Sequence, residues 1–310
     1  MTDKTITLGR LQFRATDGLI LSAFAFFTLL AILYHSRVEG WWILVLKNAG
    51  MAFLYITVNG FSGRLEEGFW KFFLRMAAVM IAYAYLFEAV DKLQLILHGR
   101  WFDETVLRME HSVFGVQPTL WLERFISKPL TEWMMFAYVM YLPLCLTICT
   151  LIHRLRGPLA LEDYFFMLGL SNILCDLGFI LFPVAGPIPH MGSKYTVPLQ
   201  GYVWTWFGEA IRLHAHFIGG SIPSPHCANA TVMWIMAYRY LRPSFWILLP
   251  VVLSLYVSTV YGRYHYVTDA AAGVAVAFLS VALAPALMRG WDRIAGRRAD
   301  AGRDATSFAE

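Results

Sequence analysis

Long apolar stretches dominate the chain and determine the predicted architecture. A helix that crosses the hydrocarbon core of a bilayer, about 30 Å thick, needs roughly 20 predominantly apolar residues. Eight stretches approach this length, at residues 18–34, 41–60, 69–90, 130–151, 164–184, 228–238, 245–260 and 270–288. The sixth is short as written, and we expect it to begin nearer Ile222, after an entrance that contains prolines. The pattern predicts an all-α integral membrane protein with about eight spans.

The composition supports this class of protein and excludes others. Of the 310 residues, 58% are hydrophobic and 15% are charged, whereas a soluble domain has about 45–50% apolar and about 25% charged residues. The four cysteines include no C-x-x-C pair, so we interpret them as structural thiols and not as zinc or redox ligands. The net charge of +4 comes from scattered Lys and Arg residues, so no nucleic-acid partner is expected.

The placement of basic residues predicts which side of the membrane each connection faces. Lys and Arg are enriched in cytoplasmic connections. If segment 1–17 is cytoplasmic, the inside segments contain Lys4, Arg10, Arg14, Arg64, Arg154, Arg156, Arg239, Arg242, Arg289, Arg293, Arg297 and Arg298. In the short outside connections, only Arg37 and Arg263 stand out. We therefore expect both termini in the cytoplasm, a disordered tail over residues 289–310, and a location in a plasma membrane, in bacteria the inner membrane.

Two longer connections fall on the outside face of this topology. In the first, residues 101–128 mix aromatic and charged side chains, which is typical of an amphipathic helix lying on the membrane surface. The second, residues 185–221, is rich in Gly, Pro, His and aromatic residues. A connection of this length is usually functional.

The segment 261–269 opens the last span and contains the first candidate chemistry. His265 and Asp269 are four residues apart, so on a helix they share one face. A carboxylate bonded to one ring nitrogen fixes the histidine tautomer and makes the other nitrogen more basic, which favours attack on phosphorus. The alternative is structural, with Asp269 capping the helix beside an interfacial histidine.

The segment 221–226 opens the sixth predicted span on the same side of the membrane. Pro223 and Pro225 bracket Ser224, and a helix start follows. Backbone N–H groups and a hydroxyl at such a start can hold phosphate oxygens, and His226 would lie beside them. The topology therefore predicts that His226, His265 and Asp269 lie on one membrane face.

The two segments together resemble the type 2 phosphatidic acid phosphatase (PAP2) superfamily. The similarity lies in Pro223-Ser224-x-His226 and in His265-Tyr266-x-x-Asp269-x-x-x-Gly273. Three further stretches look like the inositol phosphorylceramide synthase-like branch: residues 182–187, Glu110-x-x-x-Phe114-Gly115-x-x-Pro118, and Tyr138-x-x-Tyr141. The resemblance implies a six-helix PAP2-like catalytic domain over residues 99–288, preceded by additional transmembrane helices over residues 18–98.

The resemblance also implies a role for each matching residue. His265 would attack phosphorus and become phosphohistidine, and Asp269 would orient it. His226 would protonate the leaving oxygen and then activate the acceptor, while Ser224 would help to hold the phosphate. Neither a metal nor another cofactor is implied. The expected partners are a lipid phosphate, an alcohol acceptor and membrane lipids.

The chain departs from the superfamily pattern at its basic residues. A Lys followed six residues later by Arg-Pro is absent, since the only Arg-Pro is Arg242-Pro243 on the inside face, and Ser258 is followed by Thr259 instead of Arg. The candidate substitutes for phosphate binding are Arg263, Lys194 and Arg212. For each of them an interfacial or solvated residue is the structural alternative.

Several other polar residues have two possible interpretations. His190, His214 and His216 could line a headgroup pocket, although solvated loop histidines are commoner. Asp176 lies within the fifth predicted span, where an ionisable residue is costly. It could support the site or simply bond to a neighbouring helix.

The sequence thus favours a membrane-embedded lipid phosphatase or phosphotransferase that works through phosphohistidine on the non-cytoplasmic face. The alternative is a catalytically inactive lipid-binding or transport protein that has the same fold.

Overall fold

The computed structural model describes residues 4–8, 11–215 and 218–307, and the side chains of residues 213–215 and 297–307 are outside this description. Two strands and thirteen helices occur in the described residues: β1 (Ile6–Leu8), β2 (Leu11–Phe13), α1 (Ala15–Leu33), α2 (Trp41–Ser62), α3 (Phe69–Val90), α4 (Asp103–Phe114), α5 (Pro118–Trp121), α6 (Lys128–Val139), α7 (Tyr141–Arg156), α8 (Pro158–Leu181), α9 (Pro187–Met191), α10 (Val203–Ala215), α11 (Pro225–Tyr240), α12 (Arg242–Tyr261) and α13 (Val267–Ser307). Short 3-10 turns lie at Asp91–Leu93, Leu122–Phe125 and Gly192–Lys194.

The helices confirm the predicted all-α membrane class. Within the described part of the chain, six helices are long and apolar enough to cross a bilayer, namely α1, α2, α3, α8, α12 and α13, and the pair α6–α7 would make a seventh span. The sixth predicted span corresponds to α11, which has 16 residues and is about 24 Å long at 1.5 Å per residue. It is therefore shorter than the six candidate spans, and it begins at Pro225 and not nearer Ile222 as the sequence suggested.

The predicted span at 130–151 is divided into two helices that meet at a bend of 44°. Met140 ends α6 and begins α7, and Pro143 follows three residues later. Proline has no N–H, so it leaves the carbonyl four residues earlier without its helical partner, and its ring crowds that carbonyl. The bend is the consequence of this local break in the helix.

The N-terminal hairpin packs against α13 in a way that the sequence did not predict. Strands β1 and β2 form an antiparallel hairpin in which Ile6 pairs with Phe13. Both side chains pack on Ala295 of α13, and the indole Nε1 of Trp291 donates to the carbonyl of Lys4 at 3.0 Å. Helix α13 runs on to Ser307, where the sequence suggested a disordered tail. The Ala- and Arg-rich composition favours helix, and packing against the hairpin covers part of the extension.

Helix α8 is the central helix of the described core, and α1, α3, α7, α11 and α13 pack around it. The N-terminal helices are tied to α8 by a buried charge network. Arg75 of α3 donates through Nε and Nη2 to the two carboxylate oxygens of Glu162, at 2.8 and 2.7 Å. Its Nη1 donates to Asp17 of α1. This pairing offsets the cost of burying the charges.

Candidate active site

The two predicted motifs meet at the junction of α11 and α13. The backbone N–H of Ser224 donates to the carbonyl of Asp269 at 2.9 Å. The rings of His226 and His265 lie 5.8 Å apart, centroid to centroid. Gly273 permits this approach, because a Cβ there would lie 2.4 Å from the carbonyl oxygen of Ser224. The structure therefore brings both histidines to one place.

The hydrogen bonding of His265 defines which ring nitrogen carries the proton. Nδ1 lies 3.0 Å from the backbone carbonyl of Ser221, and a carbonyl oxygen only accepts, so Nδ1 must be the donor. In the neutral imidazole the other nitrogen, Nε2, then has a free lone pair. His265 is 5% exposed, so this geometry is held within the protein.

The carboxylate of Asp269 lies close to His265, but the main hydrogen-bond acceptor of the His265 ring is the carbonyl of Ser221. The carboxylate Oδ2 is 3.5 Å from Nδ1 of His265. The same oxygen accepts from the hydroxyl of Ser221 at 2.5 Å and from the backbone N–H of Tyr266 at 2.9 Å. Ser221 thus contacts the histidine through its carbonyl and the carboxylate through its hydroxyl. Sequence reasoning assigned no role to Ser221, although it stands at the start of the first motif.

Aromatic side chains surround His226. Tyr138 stacks on its ring at 4.7 Å and Tyr141 lies at 4.8 Å, centroid to centroid. The two tyrosines flank the bend between α6 and α7. Tyr141 is itself held, because Nδ2 of Asn229 donates to its hydroxyl at 2.7 Å, and Tyr264 stacks on Tyr138 at 4.3 Å. The rings fix the orientation of His226 and limit its contact with water.

Ser224 is the N-cap of α11. Its hydroxyl accepts from the backbone N–H of Cys227 at 3.4 Å, and the residue is fully buried. Because the hydroxyl oxygen is the acceptor in this bond, its own proton can be donated to a ligand. A helix start with a cap of this kind favours a nearby anion.

The structure places the predicted phosphate-binding cations in three different settings. Arg263, with a positive φ of 64°, donates to Glu123 at 2.8 Å and to the carbonyl of Val197, and its guanidinium lies 4.1 Å from the ring centroid of Tyr195. Burial lowers the pKa of Arg263, while the charge of Glu123 opposes that shift.

Arg212 is also paired, whereas Lys194 is exposed. Arg212 on α10 donates through Nη2 and Nε to Glu209 at 2.6 and 2.9 Å. Lys194 lies in a 3-10 turn at the surface. The free protein thus holds Arg212 and Arg263 against carboxylates, a pairing that spacing along the sequence did not indicate for Arg263.

Carboxylates from the connection between α3 and α6 and from α6 itself hold the other segments around the site. Four of them accept backbone N–H groups: Asp103 from Ala185 and Gly186, Glu110 from Thr268, Glu123 from Thr196 and Val197, and Glu132 from Tyr202, Trp204 and Thr205. Asp103 also accepts from the hydroxyl of Tyr266 at 3.0 Å. The segment 101–128 is therefore helical in α4, and its carboxylates also hold the neighbouring loops in place around the site.

The remaining polar residues singled out in the sequence lie outside this cluster of contacts. His190 pairs with Glu104 at 3.0 Å. The side chain of His214 and the whole of His216 lie outside the described residues. Asp176 is 2% exposed, and its Oδ2 has no hydrogen-bond partner. The four cysteines are buried and unbridged, as expected of structural thiols. No group of metal-ligating side chains occurs in the described part of the chain.

Comparison with protein families agrees with this geometry. The family model of the PAP2 superfamily matches residues 104–283, which is more than half of the chain and includes both histidine motifs. Comparison with curated proteins and with solved structures finds no match. The matched region begins at the second residue of α4 and ends within α13, so it contains both histidine motifs and the bend between α6 and α7. The chain belongs to the PAP2 superfamily.

Proposed function

We propose that the protein is a membrane-embedded lipid phosphatase or phosphotransferase that forms a phosphohistidine at His265. The observation that carries this proposal is the bond from Nδ1 of His265 to the carbonyl of Ser221. It leaves Nε2 unprotonated and therefore nucleophilic. The second histidine, with its ring 5.8 Å away, supplies the acid and base that phosphoryl transfer needs.

The first step breaks the bond between phosphorus and the leaving oxygen. Nε2 of His265 donates its lone pair to phosphorus, and the leaving oxygen departs with the bonding pair and takes a proton from His226. The positive charge that develops on the His265 ring lies beside the carboxylate of Asp269, 3.5 Å from Nδ1. The hydroxyl of Ser224 and the start of α11 hold the phosphoryl oxygens.

The second step returns the enzyme to its starting state. His226, now neutral, removes a proton from the acceptor hydroxyl, and the acceptor oxygen attacks phosphorus. The bond to Nε2 breaks, and His265 regains its lone pair. With a lipid phosphate as substrate, water as the acceptor gives phosphate, and a lipid or sugar hydroxyl gives a phosphomonoester. With a phosphodiester as substrate, one alkoxy group leaves and the other stays on phosphorus, so water gives a phosphomonoester and a hydroxyl acceptor gives a new phosphodiester, as in an inositol phosphorylceramide synthase-like enzyme.

The ion pairs of the two arginines near the site indicate which substrate charge the site favours. Arg263 and Arg212 are each neutralised by a carboxylate, and aromatic rings flank His226. Such a site suits a phosphodiester, with one negative charge, better than a phosphomonoester with nearly two. Arg263, Arg212 and Lys194 stay candidate phosphate ligands, and the two arginines would have to exchange a carboxylate for the phosphate.

The proposed orientation places the site on the non-cytoplasmic face of a plasma membrane, in bacteria the inner membrane. It rests on the bias of basic residues toward the connections at the opposite ends of the spans. A substrate on this side can keep its acyl or isoprenoid tail in the bilayer while its headgroup reaches the histidines.

A product assay on purified protein tests the activity. Several lipid phosphates and phosphodiesters are offered with and without inositol, sugar or lipid acceptors. Phosphate release alone indicates a phosphatase. An acceptor-dependent product indicates a phosphotransferase, and this product is a phosphomonoester when a lipid phosphate is the donor and a new phosphodiester when a phosphodiester is the donor. His265→Ala and His226→Ala should each abolish turnover while the protein still inserts. Full turnover in both variants would contradict the mechanism, and lipid binding without turnover in the native protein would favour the lipid-binding alternative.

A further inference from the structure

Helix α10 has an apolar face that is exposed on the surface of the described protein. Val203, Trp206, Phe207 and Ile211 follow helical spacing along one side and are between 39% and 66% exposed. The opposite side contains Thr205, which is 7% exposed, and the buried Gly208. A helix packed on a water-soluble protein has the reverse arrangement, with its apolar side inward. The outward face of α10 therefore requires an apolar environment.

The position of α10 indicates what this environment is. Helix α10 lies along α6, where Glu132 accepts the backbone N–H of Trp204 at 2.6 Å and Phe136 contacts the ring of Trp204 at 5.2 Å. Helix α6 is half of the bent pair α6–α7, which together is long and apolar enough to cross a membrane. Its Trp133, 47% exposed, donates to Ser254 of α12, another membrane-crossing helix. The apolar face of α10 is thus continuous with surfaces that face lipid.

The inner side of α10 faces the catalytic residues. Burial raises the pKa of Tyr264. The ion pair of Glu209 and Arg212 lies near this hydroxyl, and the charge of Glu209 raises its pKa further while the charge of Arg212 lowers it. Tyr264 stacks on Tyr138, and Tyr138 stacks on His226. One electrostatic interaction and two ring contacts therefore connect α10 with the proposed acid and base.

We propose that α10 is a membrane-inserted helix that occupies the leaflet on the side of the active site and forms the wall along which the lipid substrate approaches. At 13 residues it is about 20 Å long and does not span the bilayer. Val203, Trp206, Phe207 and Ile211 contact acyl chains, and the Glu209–Arg212 pair meets the headgroup. The second part of this proposal, the approach of the substrate, rests on the proposed function.

Spin labelling tests the insertion without reference to catalysis. A nitroxide is attached at Trp206→Cys or Phe207→Cys in nanodiscs, which is selective because the four native cysteines are buried. Lys194→Cys, in an exposed turn, is the water-facing control, and Leu253→Cys on α12, 50% exposed, is the lipid-facing control. The proposal expects the α10 labels to match Leu253→Cys, with high collision rates for oxygen and low rates for a water-soluble nickel complex.

Two results would overturn the insertion. A label as accessible to nickel as the one at Lys194→Cys would place α10 in water. A label shielded from both oxygen and nickel would show that a protein, a second copy or another partner, covers the face. Neither result depends on turnover, so this experiment can fail while the proposed phosphoryl transfer stands.

A pair of substrates tests the approach of the lipid. Trp206→Ser and Phe207→Ser should lower kcat/KM for a long-chain lipid phosphate in vesicles by about tenfold and leave turnover of a short-chain, water-soluble phosphate ester unchanged. Trp246→Ser is the matched control, because Trp246 is 70% exposed and lies at the end of α12 far from the histidines. It should change kcat/KM for neither substrate. Equal losses on both substrates, or no loss on the lipid, would contradict the assigned role of α10.

Discussion

Replacing Asp269 with asparagine removes a negative charge that lies 3.5 Å from Nδ1 of His265 and leaves the shape of the side chain almost unchanged. Between two full charges at this distance, an effective dielectric constant of about 20 gives roughly 4–5 kcal/mol. Only part of the positive charge on the His265 ring has developed in the transition state. We therefore expect a loss of about 2–3 kcal/mol, which corresponds to a rate lower by about 30- to 200-fold.

The assay is a single-turnover measurement of phosphoenzyme formation by rapid quenching, together with the thermal stability of each variant. Glu110→Gln is the matched control, because Glu110 is a buried carboxylate that accepts from Thr268, next to Asp269 in the chain. Its rate should stay within about threefold of the native rate. Ser221→Ala keeps the backbone carbonyl and loses only the hydroxyl, so it should fall between the two. An Asp269→Asn rate within threefold of native would refute the electrostatic role.

Three further predictions test the packing and the buried charges. Gly273→Ala should destabilise the protein by about 1–3 kcal/mol and lower turnover, because the added Cβ would clash with the start of α11. Gly290→Ala, with open space around it, should change neither stability nor turnover. Equal melting temperatures for the two variants would contradict this. Arg75→Met removes the guanidinium that lies between two buried carboxylates and leaves Glu162 with only the partly exposed Arg14 among the described ion pairs. It should cost about 3–5 kcal/mol in unfolding experiments, while Lys71→Gln, in an exposed pair, should cost under about 1 kcal/mol. Burial raises the pKa of Glu110 above its ordinary 4.5. The stability that protonated Glu110 contributes is therefore present below pH 4.5 and is lost as the pH rises through the folded-state pKa. Glu110→Gln should flatten the dependence of the unfolding free energy on pH, and an unchanged dependence would contradict this.

The sequence predicted the membrane helices well because their apolar runs are long and continuous. The bend at Met140 was missed, since Pro143 lies inside an apolar run that otherwise looks like one span. Helix α10 was missed for another reason. Its apolar side points outward, and its polar and small residues pack against the protein. In the sequence alone, these mixed residues within a long connection look like a loop.

The candidate site was predicted in part. Its two motifs are short segments in which the spacing of His265 and Asp269 is visible directly, and charge placement put both motifs on one face. The contacts that orient the site connect distant parts of the chain. Ser221 meets Asp269 across 48 residues, and Glu123 meets Arg263 across 140. No local pattern reports such pairs, which is why Arg263 was predicted to bind phosphate without its carboxylate partner.

The most direct test of the central claim is mass spectrometry of the enzyme quenched during turnover of a lipid phosphate. The proposed mechanism predicts a phosphoryl group on His265 that is stable in alkali and labile in acid, that forms at a rate at least equal to turnover, and that is absent from His265→Ala. Turnover by His265→Ala at the native rate, or a phosphoryl group found on another residue, would contradict it.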